Sequence, residues 1–294
     1  MATTKKTALI TGASSGFGLE FAKLFAKDGY DVVLVSRNPE RLAEVAMDLK
    51  VEYGVRTVIL EKDLSIPGSA QQLYNEVKSS NITVDVLVNN AGVSERGFFH
   101  EMDMNKELSI IQLNVISVFE LTKLFLRDMV ARNEGRILQL SSTAAKSPQP
   151  LMAVYGATKA FVNSFSEALI NELKGTAVTM TVLLPGPSDT DFFHKARAED
   201  TNVYKKGKLS NPKDVARDGY KALMKGQGKI VSGLKNKVQV AISNVISNES
   251  ITAGSRKSMD EKVDKNAEKK QERKAKREER KDNREKKKEQ RKNK

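Results

Sequence analysis

The stretch Thr7–Gly18, TALITGASSGFG, decides the fold, because it passes from strand formers through three glycines into a helical pattern. The apolar run at 7–10 predicts a buried strand, and the segment LEFAKLFAKDG that follows has helical spacing. Gly12, Gly16 and Gly18 between them permit unusual torsion angles and close approach of a ligand. The helix N-terminus adds N–H donors and a positive dipole end. The stretch predicts a phosphate-binding turn, although a purely structural tight turn would also use glycines.

Apolar runs alternate with amphipathic helical patterns along most of the chain. The predicted strands are 7–10, 32–36, 57–61, 84–88, 136–141, 177–184 and 229–232. The predicted helices are 17–27, 39–52, 68–79, 106–132, 152–173 and 212–225. Such alternation requires parallel strands joined by right-handed crossovers. We therefore expect an α/β protein, a doubly wound parallel sheet (Rossmann fold) with helices on both faces and a ligand crevice at the carboxyl ends of the strands.

Composition and charge divide the chain into a body and a tail. Of the 294 residues, 39% are hydrophobic, which is enough for a substantial core. The net charge is +13, of which residues 256–294, with 19 Lys/Arg and 10 Asp/Glu, contribute +9. We expect a Rossmann-fold domain over 1–250, closed by an amphipathic helix at 235–247. A charged, partly helical or disordered tail is expected over 251–294.

Several functional classes are disfavoured by the composition. The chain has no cysteine, and its two histidines, His100 and His194, lack metal-ligand spacing, so no metal site is predicted. No signal-peptide pattern and no apolar run of ~20 residues is found, so a cytoplasmic protein without a transmembrane segment is expected. The tail would suit an adaptor for nucleic acid or anionic surfaces. Its acidic residues and lack of aromatic residues favour a solvating appendage with no specific nucleic-acid partner.

Three further motifs join the glycine stretch in one pattern. The chain reads NNAG at 89–92 and YGATK at 155–159, and Ser142 stands thirteen residues before Tyr155. With TGASSGFG at 11–18, these motifs give a chain that resembles the short-chain dehydrogenase/reductase family over residues 5–235, nearest to bacterial-type NADP-dependent oxidoreductases. The resemblance implies an enzyme that uses a nicotinamide dinucleotide to interconvert a carbonyl compound and a secondary alcohol.

The resemblance implies catalytic roles for Ser142, Tyr155, Lys159 and Asn114. Four residues of separation place Tyr155 and Lys159 on one helix face, about 6 Å apart along the axis. Ser142 would bind the carbonyl oxygen, Tyr155 would exchange a proton with it, and Asn114 would complete a proton relay. Lys159 is expected to lower the pKa of Tyr155 and to bind the nicotinamide ribose. Ser141 is the alternative to Ser142.

The residues at the end of the second predicted strand indicate which of the two nicotinamide cofactors binds. In VVLVSRNPERL, Ser36 occupies the position at which an acidic residue would bind a free ribose 2′-hydroxyl, and Arg37 follows it. A guanidinium binds a 2′-phosphate through charge-assisted hydrogen bonds, and Arg41 lies one helical turn further on. NADP(H) is therefore predicted rather than NAD(H), unless Arg37 is only a solvated loop charge.

The resemblance assigns other cofactor contacts to the loops that follow the strands. Asp63 matches a residue at the adenine edge, and the Pro185-Gly186 turn with Thr190 matches a nicotinamide loop. The complete set of expected cofactor-binding residues is Thr11, Gly12, Ser14, Ser15, Gly16, Phe17, Gly18, Ser36, Arg37, Arg41, Asp63, Leu64, Asn90, Ala91, Gly92, Tyr155, Lys159, Pro185, Gly186 and Thr190.

The expected substrate is a small carbonyl compound or alcohol in a mostly apolar crevice. Phe192 and Phe193 would either cap it or anchor their loop. Other loop residues expected at this crevice are Ser94, Phe98, Phe99, Gln149, Leu151 and Met152. The long helices at 106–132 and 152–173 offer a surface for a homodimer. A redox-silent NADP-binding regulator is the alternative to an enzyme, and the presence of both Tyr155 and Lys159 disfavours it.

Overall fold

A computed structural model of the chain describes residues 5–192, 196, 198–206, 209–243 and 248–259. The strands in this part form one sheet in the order β3-β2-β1-β4-β5-β6-β7, with every neighbouring pair parallel. They are β1 (Thr7–Thr11), β2 (Asp31–Ser36), β3 (Thr57–Glu61), β4 (Val86–Asn89), β5 (Gly135–Leu140), β6 (Val178–Leu184) and β7 (Lys229–Val231). The order reverses between β1 and β4, which opens a crevice at their carboxyl ends.

Helices cover both faces of this sheet, so the doubly wound architecture is confirmed. They are α1 (Gly16–Lys27), α2 (Pro39–Tyr53), α3 (Ser69–Ser79), α4 (Met104–Ile111), α5 (Ser117–Ala131), α6 (Ala153–Glu172), α7 (Asn202–Lys206), α8 (Pro212–Met224), α9 (Leu234–Ser243) and α10 (Asn248–Met259). Local sequence sets several boundaries. Asn211 accepts a hydrogen bond from the Lys213 N–H at 2.9 Å, and Pro212 occupies the first position of α8, as predicted.

Among the described residues, two large hydrophobic clusters cover the sheet, one on each face. Ala8 and Ile10 of β1 pack with α1, α2 and α8, whereas Leu9 packs on the opposite face with α3 and α5. Phe21 of α1 and Phe125 of α5 lie in these two clusters respectively, and both are almost fully buried. Strands covered on both faces must be apolar at successive positions, which explains the continuous apolar runs of the sequence.

The helix predicted over 106–132 is interrupted. A π-helical turn, Gln112–Ile116, separates α4 from α5, and it contains the fully buried Asn114. Such turns insert an extra residue and change which side chains face the core. The continuous stretch Met104–Ala131 is, by length and composition alone, able to cross a membrane, and it is the one such stretch among the described residues. The expectation of no transmembrane segment therefore stays a prediction.

The carboxyl-terminal organisation is described only in part. α9 begins at Leu234, within a residue of the predicted helix at 235–247, but 244–247 lie outside the described residues. α10 runs across the predicted domain boundary at residue 250. The rest of the predicted tail, 260–294, also lies outside the described residues, so the division into 1–250 and 251–294 stays a prediction.

Candidate active site

A cavity of about 1060 Å³ lies at the carboxyl ends of the strands, where this topology places a ligand. The turn after β1 and the loops after β2 and β3 line one part of it. The loops after β4, β5 and β6 line the other part, together with residues of α6, α7, α9 and α10. The cavity therefore joins the predicted cofactor segments to the predicted catalytic residues.

The glycine turn forms a cradle that only glycine permits. Gly12 and Gly16 have φ values of +67° and +56°, in the left-handed region. A Cβ on Gly18 would overlap the carbonyl oxygen of Gly12, and a Cβ on Gly12 would lie 2.8 Å from Asn90 Nδ2. The turn thus presents bare backbone and the α1 N-terminus to the cavity. This shape and polarity fit the pyrophosphate of a dinucleotide.

Some predicted cofactor residues act behind the cavity wall. Thr11 Oγ1 accepts hydrogen bonds from the N–H groups of Asn90 and Ala91, both at 3.0 Å, and Asn90 Nδ2 donates to the Thr11 carbonyl at 2.8 Å. Thr11 and Gly18 do not line the cavity. They fix the turn after β1 against the loop after β4. The remaining predicted residues line the cavity, with the exception of Arg41.

Ser142, Tyr155 and Lys159 lie together in the cavity wall. Ser142 follows β5 and accepts a hydrogen bond from the Ala144 N–H at 3.1 Å. The Tyr155 and Ser142 side chains both face the cavity, and the Ser142 hydroxyl lowers the pKa of Tyr155. Lys159 Nζ is 5.8 Å from the centre of the Tyr155 ring, one helical turn along α6. The three side chains that the sequence motifs single out are therefore brought into one cluster.

Burial controls the pKa values in this cluster. It raises the pKa of Tyr155 to about 12, against a smaller opposing effect of the nearby Ser142 hydroxyl. It lowers the pKa of Lys159 to about 8. The pKa of Tyr155 thus moves in the direction opposite to the prediction from sequence, because desolvation of the phenolate is the largest effect on it. Lys159 Nζ donates instead to the Leu140 carbonyl at 2.9 Å.

The two adjacent serines have different environments. Ser141 Oγ donates a hydrogen bond to the main-chain carbonyl of Lys159 at 2.9 Å, so it joins β5 to α6. Ser142 Oγ accepts a hydrogen bond from the Ala144 N–H and otherwise has only a long contact, 3.5 Å, with the Pro185 carbonyl. The geometry favours Ser142 as the hydroxyl available to a substrate.

Asn114 is held behind the cluster by the π-helical turn. Its Oδ1 accepts from the Val93 N–H at 3.0 Å, and its Nδ2 donates to the Val93 carbonyl at 2.9 Å and to Thr158 Oγ1 at 3.1 Å. A Cβ on Gly92 would lie 3.3 Å from both Asn114 Oδ1 and Lys159 Nζ. Asn114 does not line the cavity itself, but Gly92 keeps a narrow space open between Asn114 and Lys159.

The region predicted to select the cofactor carries one cation in the cavity wall at the end of β2. Arg37 lines the cavity, and its Nη1 lies 3.7 Å from Asp63 Oδ2. Asp63 is itself oriented by the Ser65 N–H at 2.9 Å. Arg41 pairs with Glu44 on the surface of α2 and does not line the cavity. The structure therefore places Arg37, but not Arg41, at the predicted site.

The predicted substrate loops divide between two cavities. Gln149, Met152 and Phe192 line the large cavity, and the Phe192 ring lies 5.2 Å from the Tyr155 ring. Phe98, Phe99 and Leu151 line a smaller neighbouring cavity of about 80 Å³, which Met152 and Tyr155 share. Ser94 is buried and lines neither of them. Phe192 also packs on Ala196 and Ala198, so it both faces the cavity and anchors its loop. Phe193 and His194 lie outside the described residues.

The carboxyl-terminal helices supply cavity residues that sequence reasoning missed. They are Lys235, Asn236 and Gln239 of α9 and Ser255, Lys257, Ser258 and Met259 of α10. A Cβ on Gly186 would overlap the Asn236 side-chain amide, so α9 packs closely on the loop after β6. The only signal in the sequence is the spacing of Lys235 and Gln239, which share one helix face.

Comparison with known proteins assigns the family. The family model described as short chain dehydrogenase matches residues 6–201, which is most of the sheet and all of the catalytic cluster. The chain belongs to the short-chain dehydrogenase/reductase family.

Two curated relatives are reductases of oxoacyl compounds by name. A very-long-chain 3-oxoacyl-CoA reductase from Anas platyrhynchos is 36% identical over 184 residues, which cover 60% of this chain and 58% of that protein. The ketoacyl reductase HetN from Nostoc sp. (strain PCC 7120 / SAG 25.82 / UTEX 2576) is 34% identical over 221 residues, covering 75% and 76% respectively. The match thus spans less than two thirds of the length of the first relative.

Solved structures with either nicotinamide cofactor resemble this chain. A short-chain dehydrogenase from Sphingobium yanoikuyae in complex with NADPH has a TM-score of 0.73 at 26% identity, covering 82% of this chain and 96% of that chain. A short-chain dehydrogenase/reductase from Burkholderia phymatum in complex with NAD also has a TM-score of 0.73 at 26% identity, covering 88% and 98%. The likeness therefore does not choose between the two cofactors.

Proposed function

We propose that this protein is an NADP(H)-dependent carbonyl reductase, reversible as a secondary-alcohol dehydrogenase, with Tyr155 as its acid and base. The observation that carries the proposal is the cluster of Ser142, Tyr155 and Lys159 in the wall of the cavity onto which the glycine turn opens. A redox-silent regulator would have no use for this cluster.

Ser142 and Tyr155 have different roles in carbonyl reduction. When bound, NADPH supplies the hydride that the carbonyl carbon receives. Ser142 donates a hydrogen bond to the carbonyl oxygen, where negative charge develops. Tyr155 transfers its proton to that oxygen, and the product is the alcohol. A pKa of about 12 keeps Tyr155 protonated at neutral pH, so that it can act as the acid in reduction.

Lys159 makes the proton transfer less costly. With a pKa of about 8, it is mostly an ammonium at neutral pH. As Tyr155 gives up its proton, this positive charge stabilises the phenolate that forms. The narrow space beside Gly92, between Lys159 and Asn114, supports a route by which a proton returns to Tyr155 from water.

Arg37 is the basis for preferring NADP(H). Its guanidinium is the cation that follows β2 in the cavity wall, and Ser36 beside it carries no charge to repel a 2′-phosphate. Asp63 lies 3.7 Å from Arg37 and orients it. A guanidinium held in this way can form paired hydrogen bonds with phosphate oxygens.

The proposed substrate class is 3-oxoacyl compounds. One relative is named a very-long-chain 3-oxoacyl-CoA reductase and the other a ketoacyl reductase. The wall beside Tyr155 includes Phe192, Met152 and Val203, which would accommodate an apolar chain next to the reacting carbonyl.

A homodimer through α4, α5 and α6 is also proposed. Leu108, Phe119 and Phe161 are 55%, 45% and 38% exposed on these helices, and Phe161 stacks on Phe165 at 5.5 Å. A cluster of exposed apolar side chains on adjacent helices is typical of an interface.

The proposed function is tested by a screen for substrate-dependent oxidation of NADPH. Ketones, aldehydes and 3-oxoacyl thioesters are compared, with the Tyr155→Phe variant as the control. Turnover of a carbonyl compound by the wild type alone supports the proposal. Absence of turnover across the screen contradicts it.

A further inference from the structure

The last described helix spans the substrate end of the cavity. α10 contacts Arg96 and Phe98 in the loop after β4, and it contacts Asn202 of α7 in the segment after β6. β4 and β6 are the two neighbours of β5 in the sheet. α10 therefore crosses over the carboxyl end of β5, where Ser142 stands.

Directed contacts hold α10 in this position. Arg96 Nε donates to the Met259 carbonyl at 2.9 Å. Asn202 Nδ2 donates to the Lys257 carbonyl at 3.0 Å. The Arg256 guanidinium lies 4.8 Å from the centre of the Phe98 ring. Arg96 also lies 3.4 Å from Asp200, so it connects both loops with α10.

The wall that α9 and α10 build is chemically unlike the wall beside Tyr155. It carries the ammonium groups of Lys235 and Lys257 and the hydroxyls of Ser255 and Ser258. Both lysines are exposed, and within the described part of the chain neither forms an ion pair. Two such cations in the wall of one cavity attract a multiply charged anion.

We propose that Lys235 and Lys257 bind the phosphate groups of the carrier that bears the 3-oxoacyl chain. This inference rests on the proposed function, because it places the carbonyl at Ser142 and Tyr155 and the carrier under α10. Lysine suits phosphate as a compact charge that needs no fixed hydrogen-bond geometry. The apolar chain and the phosphates then contact different walls of one cavity.

The test compares two thioesters of the same 3-oxo acid. One is the coenzyme A thioester, and the other is the N-acetylcysteamine thioester, which has the same reacting group but no phosphate. The double variant Lys235→Gln/Lys257→Gln is expected to lower kcat/KM about tenfold for the coenzyme A thioester, as expected for the loss of two exposed charge pairs. Its kcat/KM for the N-acetylcysteamine thioester and its Kd for NADPH should be unchanged.

The matched control is Lys237→Gln, which removes the same charge from α9 at an exposed position outside the cavity wall. It should leave both thioesters unaffected. An equal effect of the double variant on both thioesters, or no effect on either, would overturn the inference. A weaker Kd for NADPH would overturn it too, because the lysines would then serve the cofactor. Failure of the wild type to reduce either thioester would contradict the substrate class of the proposed function, and the inference with it.

Discussion

Lys159 Nζ donates a hydrogen bond to the main-chain carbonyl of Leu140 at 2.9 Å, so the last residue of β5 fixes the position of the charge beside Tyr155. The ammonium is buried, and its pKa is lowered to about 8. The functional consequence is a charge that is present at neutral pH and lost in mildly alkaline solution.

This relationship predicts the pH dependence of carbonyl reduction. Because the pKa of Lys159 lies below its ordinary value, its charge disappears as the pH rises through about 8, and kcat/KM should fall there. Tyr155, with a pKa of about 12, does not titrate in this range. The measurement is kcat/KM for NADPH-dependent reduction between pH 6 and 10, on Lys159→Arg as well as the wild type. The arginine variant keeps its charge, so a decline near pH 8 that persists in it would rule out Lys159 as the cause.

The cofactor preference can be tested with two arginines that lie four residues apart in the sequence. Arg37→Ala should weaken NADPH binding about tenfold to a hundredfold, the equivalent of roughly 1.5–3 kcal/mol, because it removes a charge-assisted contact with the 2′-phosphate. NADH binding should change little. Arg41→Ala is the matched control, since Arg41 pairs with Glu44 outside the cavity. Fluorescence titration with both cofactors measures the effect. If Arg37→Ala lost affinity for NADPH and NADH equally, the basis for preferring NADP(H) would be removed.

Replacing each of the adjacent serines, Ser141 and Ser142, by alanine is expected to give opposite phenotypes. Ser142→Ala should lower kcat about 10²- to 10³-fold with little change in stability, because it removes the donor to the carbonyl oxygen. Ser141→Ala should retain most activity and lower the free energy of unfolding by about 1 kcal/mol, because it removes the hydrogen bond to the Lys159 carbonyl. Steady-state kinetics and denaturant titration on both variants make the comparison. The reverse pattern would assign the catalytic hydroxyl to Ser141.

The proposed dimer depends on the exposed apolar cluster of α4, α5 and α6. Phe119→Glu should convert the wild-type dimer into a monomer, because a carboxylate cannot be buried there without a partner. Val51→Glu is the matched control, since Val51 is 77% exposed on α2, away from this cluster. Analytical ultracentrifugation at one protein concentration compares the three proteins. A monomeric wild type, or a Phe119→Glu variant of unchanged mass, would contradict this surface.

Much of the fold was predictable because the relevant signals are local. Periodicity and glycine placement gave all the described strands to within two residues, and Asn211-Pro212 gave the start of α8. The π-helical turn at Gln112–Ile116 was not predictable, because nothing in QLNVI distinguishes it from an α-helical segment. Its position is tied instead to the tertiary hydrogen bonds of Asn114.

Most residues of the candidate site were predictable from the sequence. The pKa shifts within the site and the wall formed by α9 and α10 were not. The direction of the Tyr155 pKa shift depends on burial, which the sequence does not report. Arg41 has the right spacing for a phosphate contact, yet a local pair with Glu44 holds it on the surface. α10 has few apolar residues, and its place over the cavity depends on contacts with Arg96 and Phe98, more than 150 residues away in sequence.

The proton transfer by Tyr155 is the central claim, and the Tyr155→Phe variant tests it most directly. The variant keeps the ring and its contact with Phe192, so it should bind NADPH with an unchanged Kd. Its kcat for carbonyl reduction should fall by about 10²-fold or more, because no acid remains at the carbonyl oxygen. Single-turnover kinetics with saturating NADPH, together with the Kd, separate the two effects. A variant that binds NADPH normally and reduces the carbonyl at the wild-type rate would contradict the assignment of Tyr155.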